Sequence, residues 1–358
     1  MTHTALVTGA SGFIGPYLID RLVKDGWRVR AVSRRRPGFL DDARYREVEW
    51  RAADLTRPYV LDEPLRGVDR VYHVAGLFDF FATPEELVRA NADATDFVCA
   101  SARANRVPEL VLFSTGAIYG FGYGNRAVRE SDPPEPAEAY SRSKWEAEQR
   151  AFQHNGKDGL GVLVLRPGAV YGPGSVYGDA QALYLIKRGF LCGIPGLVDV
   201  GSSHIHAADC ADAAHHLANR AESWRRDATS VDQLAFNLCD PTPTSNAALI
   251  RGAARAITGK GLVGVLPIRI PGFLLLLTAW LVETVARITR TRPMFETTGV
   301  RYLLTGHVLD GARLAASGYE FRYPDTLAGL AQTIRWYEGH GWKGFRRGEP
   351  VPSPFTEA

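Results

Sequence analysis

Leu6-Val7-Thr8-Gly9-Ala10-Ser11-Gly12-Phe13-Ile14-Gly15 is the stretch on which the reading of the chain turns. The apolar run Ala5-Leu6-Val7 suits a buried parallel strand, and Tyr17-Leu18-Ile19-Asp20-Arg21-Leu22-Val23 repeats apolar residues at helical spacing. Strand, glycine turn and helix therefore follow one another. Gly9 lets the chain leave the strand sharply, Gly12 lets the backbone approach a pyrophosphate, and Gly15 lets the helix pack against the strand. Free N–H groups and the positive dipole end at the helix start complete a phosphate site, with Ser11, Phe13 and Ile14 forming the rest of the turn.

Outward from this turn the same alternation repeats. A second strand, Arg28–Val32, ends at Ser33-Arg34-Arg35-Arg36. A dinucleotide fold carries there the group that meets the adenosine ribose; an acid would suit the 2′-hydroxyl of NAD, whereas Arg34 suits a 2′-phosphate, so NADP is expected and NAD is the alternative. Val48–Leu55 reads as a third strand ending in Asp54-Leu55, and Val68–Gly76 as a fourth ending in the small residues Ala75 and Gly76. A helix over Glu85–Ala104, a fifth strand over Leu110–Thr115 and a sixth over Leu160–Pro167 follow. The fold expected is α/β, a doubly wound parallel sheet of the Rossmann type. Residues 1–174 would form the nucleotide-binding part, rejoined by pieces at about 203–240. Residues 175–202 and 241–345 would form a smaller mixed substrate-binding part, and 346–358 a frayed tail.

The whole chain bounds the function. Its 358 residues, 46% of them hydrophobic, suffice for one large or two unequal domains of a soluble protein. A net charge of +3 with scattered basic residues does not suggest nucleic-acid binding. Cys99, Cys192, Cys210 and Cys239 are far apart and form no C-x-x-C pair, which fits a reducing cytoplasm, and no secretory leader is evident at the start.

Tyr140 and Lys144 stand four residues apart and share one face of a helix. A free tyrosine has a pKa of about 10; a nearby ammonium and a positively charged nicotinamide ring would stabilise its phenolate. Tyr140 could then serve as general acid to a carbonyl or general base to an alcohol, with Lys144 also holding ribose hydroxyls.

Taken together, Gly9–Gly15, Asp54-Leu55, His73-Val74-Ala75-Gly76, Ser114–Gly120, Tyr140-x-x-x-Lys144 and Arg166–Gly174 resemble the extended short-chain dehydrogenase/reductases in order and spacing. The resemblance implies that Thr115, with Ser114 as a neighbouring candidate, bonds the reacting oxygen, that Tyr140 is the acid/base and that Lys144 is its partner. It implies Asp54 and Leu55 at the adenine, Ala75 and Gly76 along the cofactor, Pro167 and Val170 near the nicotinamide, and Asn91 supporting the site through its helix. Two departures stand against a sugar-nucleotide 4,6-dehydratase: Gly168 where many members carry an asparagine, and Gly116-Ala117 where dehydratases carry Asp-Glu.

Two stretches invite other readings. His204, His206, His215 and His216 lie close together with Asp209 and Asp212, yet the resemblance makes this segment a structural strand and helix, so no metal is expected. Phe273–Ile288 is apolar nearly all round its first turns. The reading preferred is a buried helix, ahead of a wall for a lipid-like substrate or a shallow membrane contact. This segment resembles the 3β-hydroxysteroid dehydrogenase branch. The expected activity is hydride transfer between nicotinamide and a secondary alcohol or ketone of a fairly hydrophobic small-molecule substrate, in a homodimer. A nucleotide-sugar epimerase is the second reading, and a nucleotide-binding redox sensor or assembly subunit the third.

Overall fold

The apolar runs that end in small or polar residues come together as one sheet. A computed structural model describes residues 3–79, 81–121, 123, 125–191, 193–259, 268–289, 296–346 and 349–356. In it, strands β1 (Thr4–Thr8), β2 (Arg28–Ser33), β3 (Glu49–Ala52), β4 (Arg70–His73), β5 (Glu109–Phe113), β6 (Gly161–Pro167) and β7 (Ala235–Leu238) pair in the order β7-β6-β5-β4-β1-β2-β3. Every pairing is parallel. The order reverses between β1 and β4, and the crevice at their carboxyl ends is where an open α/β sheet binds its ligand. The middle strands carry unbroken apolar runs, such as Val162–Leu165, because helices cover both of their faces.

On one face α1 (Ile14–Lys24) packs against a later helix, Ala207–Ala218, through Leu18, Leu22, Ala211 and Ala214. On the other lie α2 (Ala94–Ala104) and α3 (Ala139–His154), whose Val98, Ala102 and Ala151 meet Leu110, Leu112 and Val164. The stretch expected as one helix over Glu85–Ala104 is helical throughout, but one α-helical turn at Pro84–Leu87 widens into a π-helical segment, Val88–Asp93, before α2. Such wide turns insert a residue into the helical ladder and commonly mark functional positions.

Beyond β6 the sheet is not simply rejoined by everything that returns. His204–His206 pairs with Ala169–Tyr171 in a separate two-stranded ribbon, whereas β7 takes the sheet edge beside β6. Helices α4 (Asp179–Lys187), α5 (the Ala207–Ala218 helix), α6 (Asn246–Thr258), α7 (Gly272–Thr289), α8 (Thr297–Thr305) and α9 (Thr326–Gly339) follow, with a short helix at Ala312–Ala316 before the last. Of these, α4, α6 and α9 share their own apolar core through Leu183, Ile250 and Ile334.

Two expectations are corrected. Helix α7 is not buried: only Ala279 and Ala286 among its residues are enclosed, and Phe273, Trp280 and Ile288 stand open to solvent. Nor is the end of the chain frayed through its described residues. Phe355 is buried edge-on against Tyr17 with ring centroids 4.8 Å apart, and its carbonyl accepts from Arg44 at 2.9 Å.

The four neighbouring histidines face different partners. His204 meets Asp179, His206 caps α5 through the N–H of Ala208, His215 meets Asp25 and Tyr72, and His216 meets Ser317. Among the described residues no group of three or more ligands could hold a metal. Cys99, Cys210 and Cys239 are buried and free; Cys192 lies outside the described residues.

Candidate functional site

The glycine turn sits at the reversal of strand order. Gly9 has φ +71°, and a Cβ there would stand 2.7 Å from the Ala75 nitrogen, so β1 can leave its strand this close to β4 only without a side chain. A Cβ on Gly15 would run into the Gly9 carbonyl oxygen, which already accepts from the Gly12 N–H at 2.9 Å. Ser11 and Gly12 are exposed, while Phe13 and Ile14 pack against the core. No side chain caps α1 and no acid lies in its first turn, so its free N–H groups keep their attraction for an anion.

At the next strand end the Ser33 hydroxyl donates to the Arg35 carbonyl at 2.7 Å and accepts from the Trp50 indole at 3.1 Å, which shapes the arginine turn. Arg36 is paired with Asp41. Arg34 and Arg35 are exposed and make no ion pair among the described residues. Thr56 hydrogen bonds hold the Asp54 carboxyl below its ordinary range, and the charges of Arg57 and then Arg34 add to this. Leu55 packs half-buried behind them.

Glu138 opens α3: its carboxylate accepts from the Ser141 N–H at 2.8 Å while Ser141 returns the bond. The first turn then presents Tyr140 facing Thr115, near enough for the Thr115 hydroxyl to favour the phenolate. Burial pushes the phenol up, the Glu138 charge adds to that, and the Thr115 hydroxyl opposes both. One turn on, the buried Lys144 ammonium donates to the Phe113 carbonyl at 2.6 Å. Burial lowers Lys144 to about 8 against the pull of Glu148. The contact made by Tyr140 is thus with Thr115, whereas Lys144 is turned to the end of β5 beside Gly76, where a Cβ would lie 3.6 Å from its Nζ. Ser114 Oγ is buried with no hydrogen-bond partner among the described residues, Pro167 closes β6, and Val170 is half-buried opposite Ile205.

A supporting relay lies behind, in which Thr95, Leu77 and Ser143 join residues that the sequence already marks. The Ala75 N–H donates to Thr8 Oγ1 at 3.2 Å, which meets His73 Nδ1 at 2.8 Å; His73 Nε2 meets Thr95 Oγ1 at 3.1 Å, and Thr95 donates to the Asn91 carbonyl at 2.6 Å. Because Thr95 spends its proton on Asn91, the ring must donate from Nε2 and accept at Nδ1. Burial, with a smaller push from Lys144, lowers His73 to about 3 and keeps it neutral. Asn91, in the π-helical segment, accepts from the Leu77 N–H at 2.7 Å, donates to the Leu77 carbonyl and to Ser143 Oγ, and Ser143 in turn donates to the Tyr140 carbonyl. The wide turn is what brings one side chain to both strand end and α3. From the far end of the chain, Tyr302 donates to Glu138 at 2.8 Å, and His307 crowds Gly116, where a Cβ would stand 2.9 Å from its Nε2. An acidic side chain has no room at position 116.

These features fit a dinucleotide: a bare glycine turn under uncapped N–H groups, a buried hydroxyl at Ser114 without a hydrogen-bond partner among the described residues, and unpaired arginines at the second strand end. The sequence profile described as "NAD dependent epimerase/dehydratase family" matches residues 5–230. The Caulobacter vibrioides ceramide reductase is 28% identical over 351 residues, 94% of this chain and 95% of that one. An uncharacterized protein of Sinorhizobium fredii is 28% identical over 220 residues, 61% of this chain but 54% of that one, so the match spans about half of its length. Among solved structures, MoeE5 in complex with UDP-glucose and NAD superposes with a TM-score of 0.71 at 23% identity, over 94% of this chain and 99% of that one. The glycine turn, the parallel sheet and the matched profile agree: the chain belongs to the NAD-dependent epimerase/dehydratase family, the extended short-chain dehydrogenase/reductases.

Proposed function

We propose that the protein is an NADP-dependent oxidoreductase acting between a secondary alcohol and a ketone of a fairly hydrophobic substrate, with residues 1–174 and 203–240 holding the dinucleotide and 175–202 with 241–345 shaping the substrate side. The contact between Tyr140 and Thr115 above a buried Lys144 carries this reading. Gly9, Ser11, Gly12, Phe13, Ile14 and Gly15 cradle the pyrophosphate; Arg34, Asp54 and Leu55 take the adenosine end. Ala75, Gly76, Ser114, Pro167 and Val170 line the nicotinamide side. The bound nicotinamide supplies or accepts the hydride. Tyr140 gives its proton to the substrate oxygen on reduction and takes it back on oxidation, and Thr115 bonds the same oxygen. A positioned general acid of this kind contributes about 10²–10⁴-fold to the rate. Lys144, anchored on Phe113, holds a positive charge beneath the site and is placed for ribose hydroxyls.

The apolar character of the substrate is supported by the rings around the acid. Phe78 packs edge-on against Tyr140 at 4.9 Å and against Tyr177 at 6.0 Å, and Phe121 lies 4.5 Å from Tyr302. Turnover of NADPH with a panel of apolar ketones tests the reading, with absorbance of the nicotinamide as the signal. Conversion of UDP-sugars to isomers, with no net change in that absorbance, would favour an epimerase instead. A second copy is the expected partner in a homodimer, which sedimentation analysis tests.

A further inference from the structure

Helix α7 is long and apolar enough to cross a bilayer by length and composition, yet it is fastened along one side to the protein. Ala279 and Ala286 are enclosed, Gly272 packs on Leu304, and the Glu283 carboxylate accepts from the Thr297 N–H at 2.5 Å, tying α7 to α8. At ~100° per residue, Phe273, Leu277, Trp280, Leu281, Val285 and Ile288 all fall on the opposite side. All six are exposed, from 49% at Leu281 to 77% at Ile288. A contiguous apolar face of this size is unusual on a soluble surface and marks an interaction site.

The edge of that face continues into neighbouring chain. Ile194 donates its N–H to the Ile268 carbonyl and Gly196 to that of Ile270, so the parallel ribbon carries exposed Ile268 at its start and runs on to exposed Leu197 and Val198 as the paired chain enters α7. Along α7 itself the charge turned to solvent is positive. Glu283, the only acid in α7, is turned away to Thr297, while Arg287 is exposed beside the face and the sequence continues through Arg290 and Arg292, which lie outside the described residues. A second copy of α7 laid on this face would bring another Arg287 and no free acid of its own to meet it. An apolar stripe with a cationic margin suits a lipid surface bearing anionic headgroups.

We infer that α7 lies in the plane of an anionic bilayer surface, its Phe273–Ile288 side sunk among the lipid chains and Arg287 at the headgroups, with the protein above it. The attachment places the candidate site against the membrane. Arg287 stacks over the Phe81 ring at 5.8 Å, in the same loop as Phe78, and α8 carries Tyr302 to Glu138 behind Tyr140. A membrane-dissolved molecule would thus meet the site from the side on which it resides.

The test is flotation of the full chain with vesicles, and it needs no turnover, so its outcome is independent of the proposed reaction. The protein should float with vesicles of phosphatidylcholine mixed with phosphatidylglycerol, and bind pure phosphatidylcholine more weakly. The double variant Leu277→Glu/Leu281→Glu should lose at least tenfold in the bound fraction while keeping its melting temperature and its affinity for the dinucleotide. If that pair fails to fold, Trp280→Ser alone serves, with a smaller loss expected. A wild-type protein that stays in the unbound fraction with both vesicles would overturn the inference. So would equal binding by a folded variant, or a dimer that the variant dissociates in the absence of vesicle binding.

Discussion

The Lys144 ammonium and the Phe113 carbonyl are 2.6 Å apart, so the cation of the Tyr140-x-x-x-Lys144 pair is anchored on the last residue of β5 and not on the phenol. Its charge is buried and costs free energy to hold. With the folded pKa lowered from 10.5 to about 8, the unfolded chain binds more protons between those values, and stability therefore rises with pH across that window. Below it the burial costs on the order of 3 kcal/mol. Lys144→Met should remove that rise. Denaturant unfolding of both proteins at a series of pH values checks it, and parallel curves would contradict the assignment.

Tyr140→Phe keeps the ring between Phe78 and the rest of α3 but removes the proton and the hydroxyl that faces Thr115. Turnover should fall by about 10²–10⁴-fold, the range for a general acid or base, with dinucleotide affinity nearly unchanged. Near-normal turnover would sink the role.

Arg34→Ala should weaken NADP by about tenfold, roughly 1.4 kcal/mol, and leave NAD almost untouched. The guanidinium is exposed, so the difference should shrink as salt is added. Equal weakening of both nucleotides in a fluorescence titration would show that Arg34 only shapes the loop.

Arg166 and Glu148 form a buried pair, 2.7 Å apart and 1% and 0% exposed, with Arg166 also donating to Tyr119 and to the Glu130 carbonyl. Arg166→Met strands the carboxylate and should cost about 3–5 kcal/mol, whereas Arg166→Met with Glu148→Leu should cost less than the single change. A double variant as unstable as the single one would mean that Tyr119 and Glu130, not the charge, set the cost.

The strand ends and the glycine turn were legible because each needs a residue type at one place: no Cβ fits at Gly9 or Gly15. Tyr140 and Lys144 were legible by their spacing, but what each one touches was not, since Phe113 and Thr115 come from another strand. The π-helical segment at Val88–Asp93 contains no glycine or proline, so the wide turn that aims Asn91 has no sequence mark. Helix α7 misled for a different reason: residues apolar on every side do not say which side faces inward. Tyr302 and His307 reach the site from the opposite end of the chain, with no local pattern to announce them.

The seat of Phe355 bears on the order in which the protein is made. Arg44 and Phe355 are joined across 311 residues, and the Phe355 ring closes on Tyr17 in the helix that follows the glycine turn. A ribosome releases the phosphate-binding turn long before this aromatic plug, and contacts between such distant segments form slowly. The nucleotide-binding half thus waits, while the 311 residues from Arg44 to Phe355 are made, for the side chain that completes its packing.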